Sequence, residues 1–302
     1  MVMTIFPPTS CHSLRMSDET PVLRMTAFAA EPAGGNPAGV VLDARSLSDT
    51  QMQQIAAEVG YAESAFITSL PTPEQPTRFG IRYFSPTAEV PFCGHATVAT
   101  AVALAERDSA DSADFVFDTP IGDLAISTRR ADAGTIASFT SIDPQVDPIP
   151  AAVLQHLLAL LGVDDADVDP AYPPRLSRGG NTHPVIVLGD LATFDAFTFE
   201  PAAMRQLMDE QGWKGTVTIL HSRSRVEFEA RNLFPVGTMQ EDPATGSAAA
   251  SVGGYLRALG LVDPPAQVII HQGRHVGRPS LLTVDIPPTG GIIVSGTATV
   301  IT

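Results

Sequence analysis

Four side chains sit where residue type and spacing could support acid–base chemistry: Glu63, Cys93, His95 and Asp242. Glu63 lies in the run YAESAF among small and apolar neighbours. A buried carboxylate there would be driven above its usual range and could take and return a proton near neutral pH; a solvated turn glutamate is the plainer reading. His95 opens a run of small residues, as a helix-start hydrogen bonder or as an acid–base group near neutrality. Cys93 stands two residues ahead, where a helix N-terminus would lower a thiol pKa, or it is an inert buried thiol. Asp242, in EDPATGS, is either a helix cap or a carboxylate that orients a polar group and relays a proton.

Several other chemistries are disfavoured. Lys214 is the only lysine, in QGWKG, which reads as a turn; a Schiff-base lysine and a phosphate-cradling Gly-rich loop ending in Lys are therefore not expected. Cys93 and His95 have no second pair nearby, and Gly273 separates His271 from His275 ahead of a strand, so neither group has zinc spacing. The sequence predicts no metal and no cofactor. A net charge of −15, from 33 acidic and 18 basic residues, disfavours nucleic acid and anionic lipid as partners. No window approaches a membrane-spanning length. Residues 1–20 hold two prolines and neither a basic n-region nor an apolar h-region. They read as a flexible tail of a cytoplasmic protein, with Met16 as a second candidate start. Cys11 falls in that tail, so a disulfide framework is not expected.

The elements that would position these side chains come in two copies. Gly34-Gly35-Asn36 runs into a β-branched strand, as does Gly179-Gly180-Asn181, 145 positions later. RYFSP from Arg82 resembles RNLFP from Arg231, 149 positions later. Eleven residues beyond each Arg stands a polar residue, Cys93 or Asp242, which pairs these two across the repeat. Aligning Phe66-Ile67 with Thr218-Ile219 sets Glu63 opposite Gly215. In each copy a strand–turn–strand unit precedes a helix, two strands, a second helix and further strands. Ser48 and Gln51 form a capping box for a helix that stops at Gly60. The second helices, HATVATAVAL (95–104) and SAAASVGGYL (247–256), have no polar stripe and must be enclosed by protein. Each half therefore wraps a curved, mostly antiparallel sheet around a central helix. The Pro/Asp-rich residues 143–150 read as a linker. Both central helices start with Gly and small polar residues, and two such N-termini converging on one cleft would hold a carboxylate.

The segments GGNPAGVVLD (34–43), AESAFI (62–67), RYFSPTAEVPFCGHAT (82–97), EDPATGSAAA (241–250) and QGRHVGRPS (272–280), in this order, resemble the PhzF family of phenazine-biosynthesis-like proteins. The resemblance implies the α+β, diaminopimelate epimerase-like fold, with two pseudo-symmetric barrel-like domains and the active site between them. The expected boundaries are 21–142 and 150–290, with the terminal strand, 291–302, returning to the first domain. It implies a cofactor-independent isomerase, a homodimer, acting on a small carboxylate-bearing substrate. By resemblance Glu63 is the general base and acid, and His95 and Asp242 assist it. Gly94, Gly246 and Ser247 hold the carboxylate, and Asn36 lines the cleft. Two alternatives share the scaffold: an epimerase or racemase using Cys93 and Asp242 from opposite faces, and a non-catalytic binder of small carboxylates.

Overall fold

The computed structural model describes residues 20–132, 134–236 and 239–301. The expected tail lies, but for Thr20, outside them, as does Cys11. The first copy begins with β1 (Leu23–Ala27), β2 (Asn36–Val41), α1 (Asp49–Val59) and β3 (Glu63–Ser69). It continues through β4 (Arg78–Phe84), β5 (Glu89–Val90), α2 (Gly94–Arg107), β6 (Ser112–Thr119), β7 (Gly122–Ala131) and β8 (Gly134–Thr140). The second copy runs β9 (Gln145–Pro148), α3 (Ala151–Leu161), β10 (Arg175–Arg178), β11 (Thr182–Leu188), α4 (Leu191–Ala196), α5 (Pro201–Gln211) and β12 (Val217–Ser224). It ends with β13 (Glu227–Leu233), β14 (Glu241–Asp242), α6 (Gly246–Ala258), β15 (Ala266–Gln272), β16 (Ser280–Ile286) and β17 (Ile293–Val300).

The fold is α+β, as the sequence predicts. Strands β1, β2, β3, β4, β6, β7, β8 and β17 form a closed barrel: each bonds the next, and β17 bonds back to β1. Only β2–β3 and β4–β6 are parallel, and α1 and α2 are their crossovers. In the second copy β9, β10, β11, β12, β13, β15, β16 and β17 follow one another around α6, with parallel pairs at β11–β12 and β13–β15. β17 belongs to both sheets, pairing with β16 as well as with β8 and β1.

Both central helices are enclosed because nothing on them needs water. Every α2 residue from His95 to Ala105 is buried. The hydroxyls of Thr97 and Thr100 donate to the carbonyls of Cys93 and Ala96 at 2.7 Å, which keeps them satisfied in the core. On α6, Gly253 and Gly254 let the surroundings close in: a Cβ on Gly253 would lie 2.7 Å from Ile292 Cγ2, and one on Gly254 2.3 Å from Pro144 Cβ. Two mid-helix glycines cost about 1 kcal/mol each relative to alanine, so tight packing is what offsets them. The capping box at Ser48 and Gln51 and the left-handed Gly60 end α1 as expected.

Two expectations change. Residues 143–150 are not merely a linker, since β9 pairs there with β10. Its proline sits at the strand end, where no ladder donor is lost. The register also revises the repeat. Val41 pairs with Phe66, and Ile186 with Ile219, so Glu63 corresponds to Thr216 rather than Gly215. The helix N-caps are Cys93 and Thr245, so Cys93 corresponds to Thr245 and His95 to Ser247, while Asp242 on β14 matches Val90 on β5. The count of eleven residues ignored a three-residue difference in the loop between β4 and α2 and its counterpart.

Replacing Gly253 with Val should destabilise the protein by about 1–3 kcal/mol through overpacking. Urea unfolding reads this directly; an unchanged midpoint would mean that Ile292 and Val284 do not press on α6.

Candidate active site

The two central helices start against one another. A Cβ placed on Gly94 would lie 3.9 Å from the Cα of Gly246, so the helix N-termini meet at the floor of one cleft. Neither N-cap, Cys93 nor Thr245, makes a side-chain capping bond, and the positive ends of both helices face the same space. The cleft measures about 560 Å³ including its open mouth, and is lined from both copies of the repeat.

The first copy supplies Glu63 at the start of β3, and Cys93, Gly94 and His95 at the start of α2. Glu63 Oε2 accepts from Cys93 Sγ at 3.5 Å and lies 3.4 Å from His95 Nε2. Its side chain is 20% exposed. Desolvation, reinforced by the charge on Asp242, pushes Glu63 up to about 7 against the Cys93 hydrogen bond, which lowers it. This is the buried-carboxylate reading of the sequence, and it leaves Glu63 divided between its two protonation states near neutral pH. Burial lowers His95 to about 3, so its ring is neutral, with Cys93 Sγ 3.4 Å from Nδ1 and 3.6 Å from Nε2. Burial, with the charge of Glu63, also pushes the Cys93 thiol up, outweighing the helix N-terminus.

Asp242 is not the cap of α6. Its Oδ1 accepts from Asn36 Nδ2 at 2.7 Å and its Oδ2 from the Thr245 hydroxyl at 2.5 Å. Asn36 also donates to the Ala244 carbonyl, so one first-copy amide ties down the segment leading into α6. Burial raises Asp242 to about 6, and these two donors oppose the rise. Asn36 is held in turn by its turn. Gly35 has φ +76°, and a Cβ on Gly34 would lie 2.0 Å from the Pro279 carbonyl oxygen. Arg278, from the QGRHVGRPS segment, donates to the carbonyls of Gly35 and Gly34. Gln272, in the same segment, accepts from the Thr245 N–H and donates to the Thr245 hydroxyl and the Asp242 carbonyl.

The sequence reading missed several residues of the cleft wall, Lys214 and His183 among them. Lys214, the sole lysine, stands at the cleft in the turn before β12, exposed to solvent. Its turn was legible, but its direction was not. His183 is fully buried on β11, and burial lowers it to about 4. Its Nδ1 lies 3.1 Å from the backbone N, the carbonyl oxygen and the hydroxyl of Thr216. Nε2 lies 3.1 Å from Ser247 Oγ, and Ser247 lines the cleft. Thr216, the counterpart of Glu63, is fixed by its 2.7 Å bond to Asn232. The signal for His183 was its place just after the second Gly-Gly-Asn turn.

Residues 25–302 match the model of the phenazine biosynthesis-like proteins, PhzC-PhzF, and the chain belongs to this family. It is 31% identical to the trans-2,3-dihydro-3-hydroxyanthranilate isomerase of Pseudomonas chlororaphis, over 85% of this chain and 86% of that protein. It is 30% identical to the uncharacterized isomerase YddE of Salmonella typhimurium, over 89% and 90%. Among solved structures, a predicted epimerase from Pseudomonas aeruginosa superposes with a TM-score of 0.81 at 26% identity, over 93% of this chain and 96% of that one. A hydroxyproline epimerase from Agrobacterium vitis shares the fold, with a TM-score of 0.61 at 12% identity, over 92% and 90%. The chain is thus a PhzF-family isomerase on an epimerase-like fold. Among the described residues no helix is long and apolar enough to cross a membrane.

A folded-state pKa above the ordinary value favours the fold at low pH and loses that benefit as pH rises through the raised value. Glu63→Gln should therefore match wild type near pH 4 and exceed its stability by about 1–3 kcal/mol near pH 8. Urea unfolding at both pH values checks this. A pH-independent difference would mean that Glu63 is not desolvated.

Proposed function

We propose that the protein moves a proton between two carbons of a small carboxylate-bearing substrate, without a cofactor, with Glu63 as base and then acid. The carrying observation is a desolvated, half-titrated carboxylate facing two abutting helix N-termini. The substrate carboxylate binds at Gly94, Gly246 and Ser247. Backbone N–H groups and the Ser247 hydroxyl, held beside His183 Nε2 at 3.1 Å, hydrogen-bond to it. Glu63 removes a proton from a carbon conjugated with that carboxylate, and the electron pair moves into the carboxylate as enolate character. The helix ends stabilise this charge. Protonated Glu63 then delivers the same proton to a second carbon, so the reaction is an isomerisation with no net proton change. His95, neutral, hydrogen-bonds Glu63 as the proton comes and goes, and Asp242, anchored by Asn36, orients a polar substituent. The Pseudomonas chlororaphis relative, named for a dihydro-hydroxyanthranilate, makes dihydroaromatic acids the first class to test.

Incubation of dihydroaromatic, amino and hydroxy acids in D₂O, read by mass shift and product analysis, should reveal a substrate. Glu63→Gln should then lower kcat by about 10²–10⁴-fold while the fold persists. Near-wild-type turnover would remove Glu63 from this role. Cys93→Ala should retain most of the activity; a loss as large as that of Glu63→Gln would favour the two-base epimerase.

A further inference from the structure

Lys214 lines the cleft, and the proton transfer by Glu63 does not use it. Its main chain is held on both sides. Gly212 ends α5 in the left-handed region, and the N–H groups of Gly212 and Trp213 donate back to the carbonyls of Asp209 and Met208. Trp213 is buried in a core cluster of the second copy. Gly215, on the other side, is pressed against β11: a Cβ there would lie 2.5 Å from His183 Cε1 and 2.6 Å from the Thr182 carbonyl oxygen. A buried tryptophan and a compressed glycine thus fix the Lys214 Cα, while its side chain is exposed. The ammonium charge is not spent inside the protein. Among the described residues Lys214 forms no ion pair; Asp209, which feels its charge, is already paired with Arg205 at 2.5 Å. Lys214 is among the causes of neither the Glu63 nor the Asp242 shift. It is the only lysine or arginine among the described residues that line the cleft.

We propose that Lys214 binds a second carboxylate of the substrate, so that the cleft is built for a small dicarboxylic acid with one end at the two helix N-termini and the other at Lys214. The place of the first carboxylate rests on the isomerase reading. The span between the two ends follows from the packing. Gly215 lies against the imidazole of His183, and Nε2 of that ring is 3.1 Å from Ser247 Oγ. One ring therefore separates Gly215 from the seat of the first carboxylate, and Lys214 is one Cα step, about 3.8 Å, further along. The four-carbon stem of lysine lets its ammonium meet the far end of a molecule of a few carbons. Phe92, Phe234 and Met239 also line the cleft and offer apolar surface to the carbon skeleton between the two charges. A phosphate at this end would call for an arginine fork or a nest of backbone N–H groups; a single ammonium at an open rim suits a carboxylate. The ammonium also offsets the repulsion that a second carboxylate meets from the charged forms of Glu63 and Asp242.

The test is calorimetric titration of the full chain at neutral pH with malonate, succinate and glutarate, each against the monocarboxylate of equal carbon number: propionate, butyrate and valerate. At least one dicarboxylate should bind about five- to twentyfold more tightly than its counterpart, a gain between that of an exposed ion pair and that of a charge-assisted hydrogen bond. Lys214→Met, which keeps an unbranched apolar stem and loses the charge, should bring this ratio close to one. Lys214→Arg should preserve it. Thermal unfolding checks that both variants fold, as substitution of an exposed side chain allows. The absence of a dicarboxylate preference in the wild type, or a preference that survives Lys214→Met, would overturn the assignment. So would a loss in Lys214→Met that is equal for both classes of acid, which would mean long-range attraction of any anion. The titration reads binding alone, and proton exchange in D₂O reads Glu63, so this assignment and the isomerase reading can fail separately.

Discussion

Burial of two helices that have no polar face is the constraint on which the structure depends. Such a helix is stable only when surrounded, and a sheet surrounds a helix only by curling around it. The strands of each copy do this, and β17 serves both sheets because the two curled surfaces lie side by side. Enclosure cannot extend past the helix starts, whose first N–H groups require acceptors. In this protein the two starts face each other, with glycine on both sides of the contact. The cleft is therefore a consequence of how the cores are closed.

Inside the cleft, desolvation competes with the helix ends. Burial shifts Glu63, Asp242 and Cys93 toward their neutral forms, and it holds His95 neutral as well. The carboxylate charge at the positive helix ends is thereby reduced though not removed, and Lys214 stands at the rim. A chain with a net charge of −15 can present an anion-binding pocket because the field at the site is set by nearby dipoles and not by distant, screened surface charge. Asp242 rises less far than Glu63 because two donors hold its charged form.

The duplicated scaffold is specialised differently in its two copies. At three matched positions the first copy has Glu63, Cys93 and His95, and the second has Thr216, Thr245 and Ser247. The first set carries acid–base groups; the second set only donates and accepts hydrogen bonds. His183 links Thr216 to Ser247, so the second copy forms a fixed hydrogen-bonding wall opposite the proton-bearing one. Asn36 and Arg278 bind the walls together by crossing from one copy to the other.

Much of this was legible in the sequence, because local signals act over a few residues. The capping box at Ser48, the left-handed Gly60, the paired Gly-Gly-Asn turns and the stripe-free helices each carry their own physical cause. Their order was enough to suggest the α+β architecture and a cleft at two helix starts. The environment of each side chain was not legible. Whether Cys93 is activated or silenced depends on desolvation by residues remote in sequence, which outweighs the helix N-terminus. Whether His95 is neutral depends on the same burial. The equivalence of Glu63 with Thr216 was fixed by strand register, which a residue count cannot see once a connecting loop changes length. The nearness of Glu63 to the Cys-Gly-His step, the inward place of Lys214 and the grip of His183 on Ser247 are tertiary facts. Sequence determined which elements form and which groups they carry; only their packing decided which groups share a dielectric and a field.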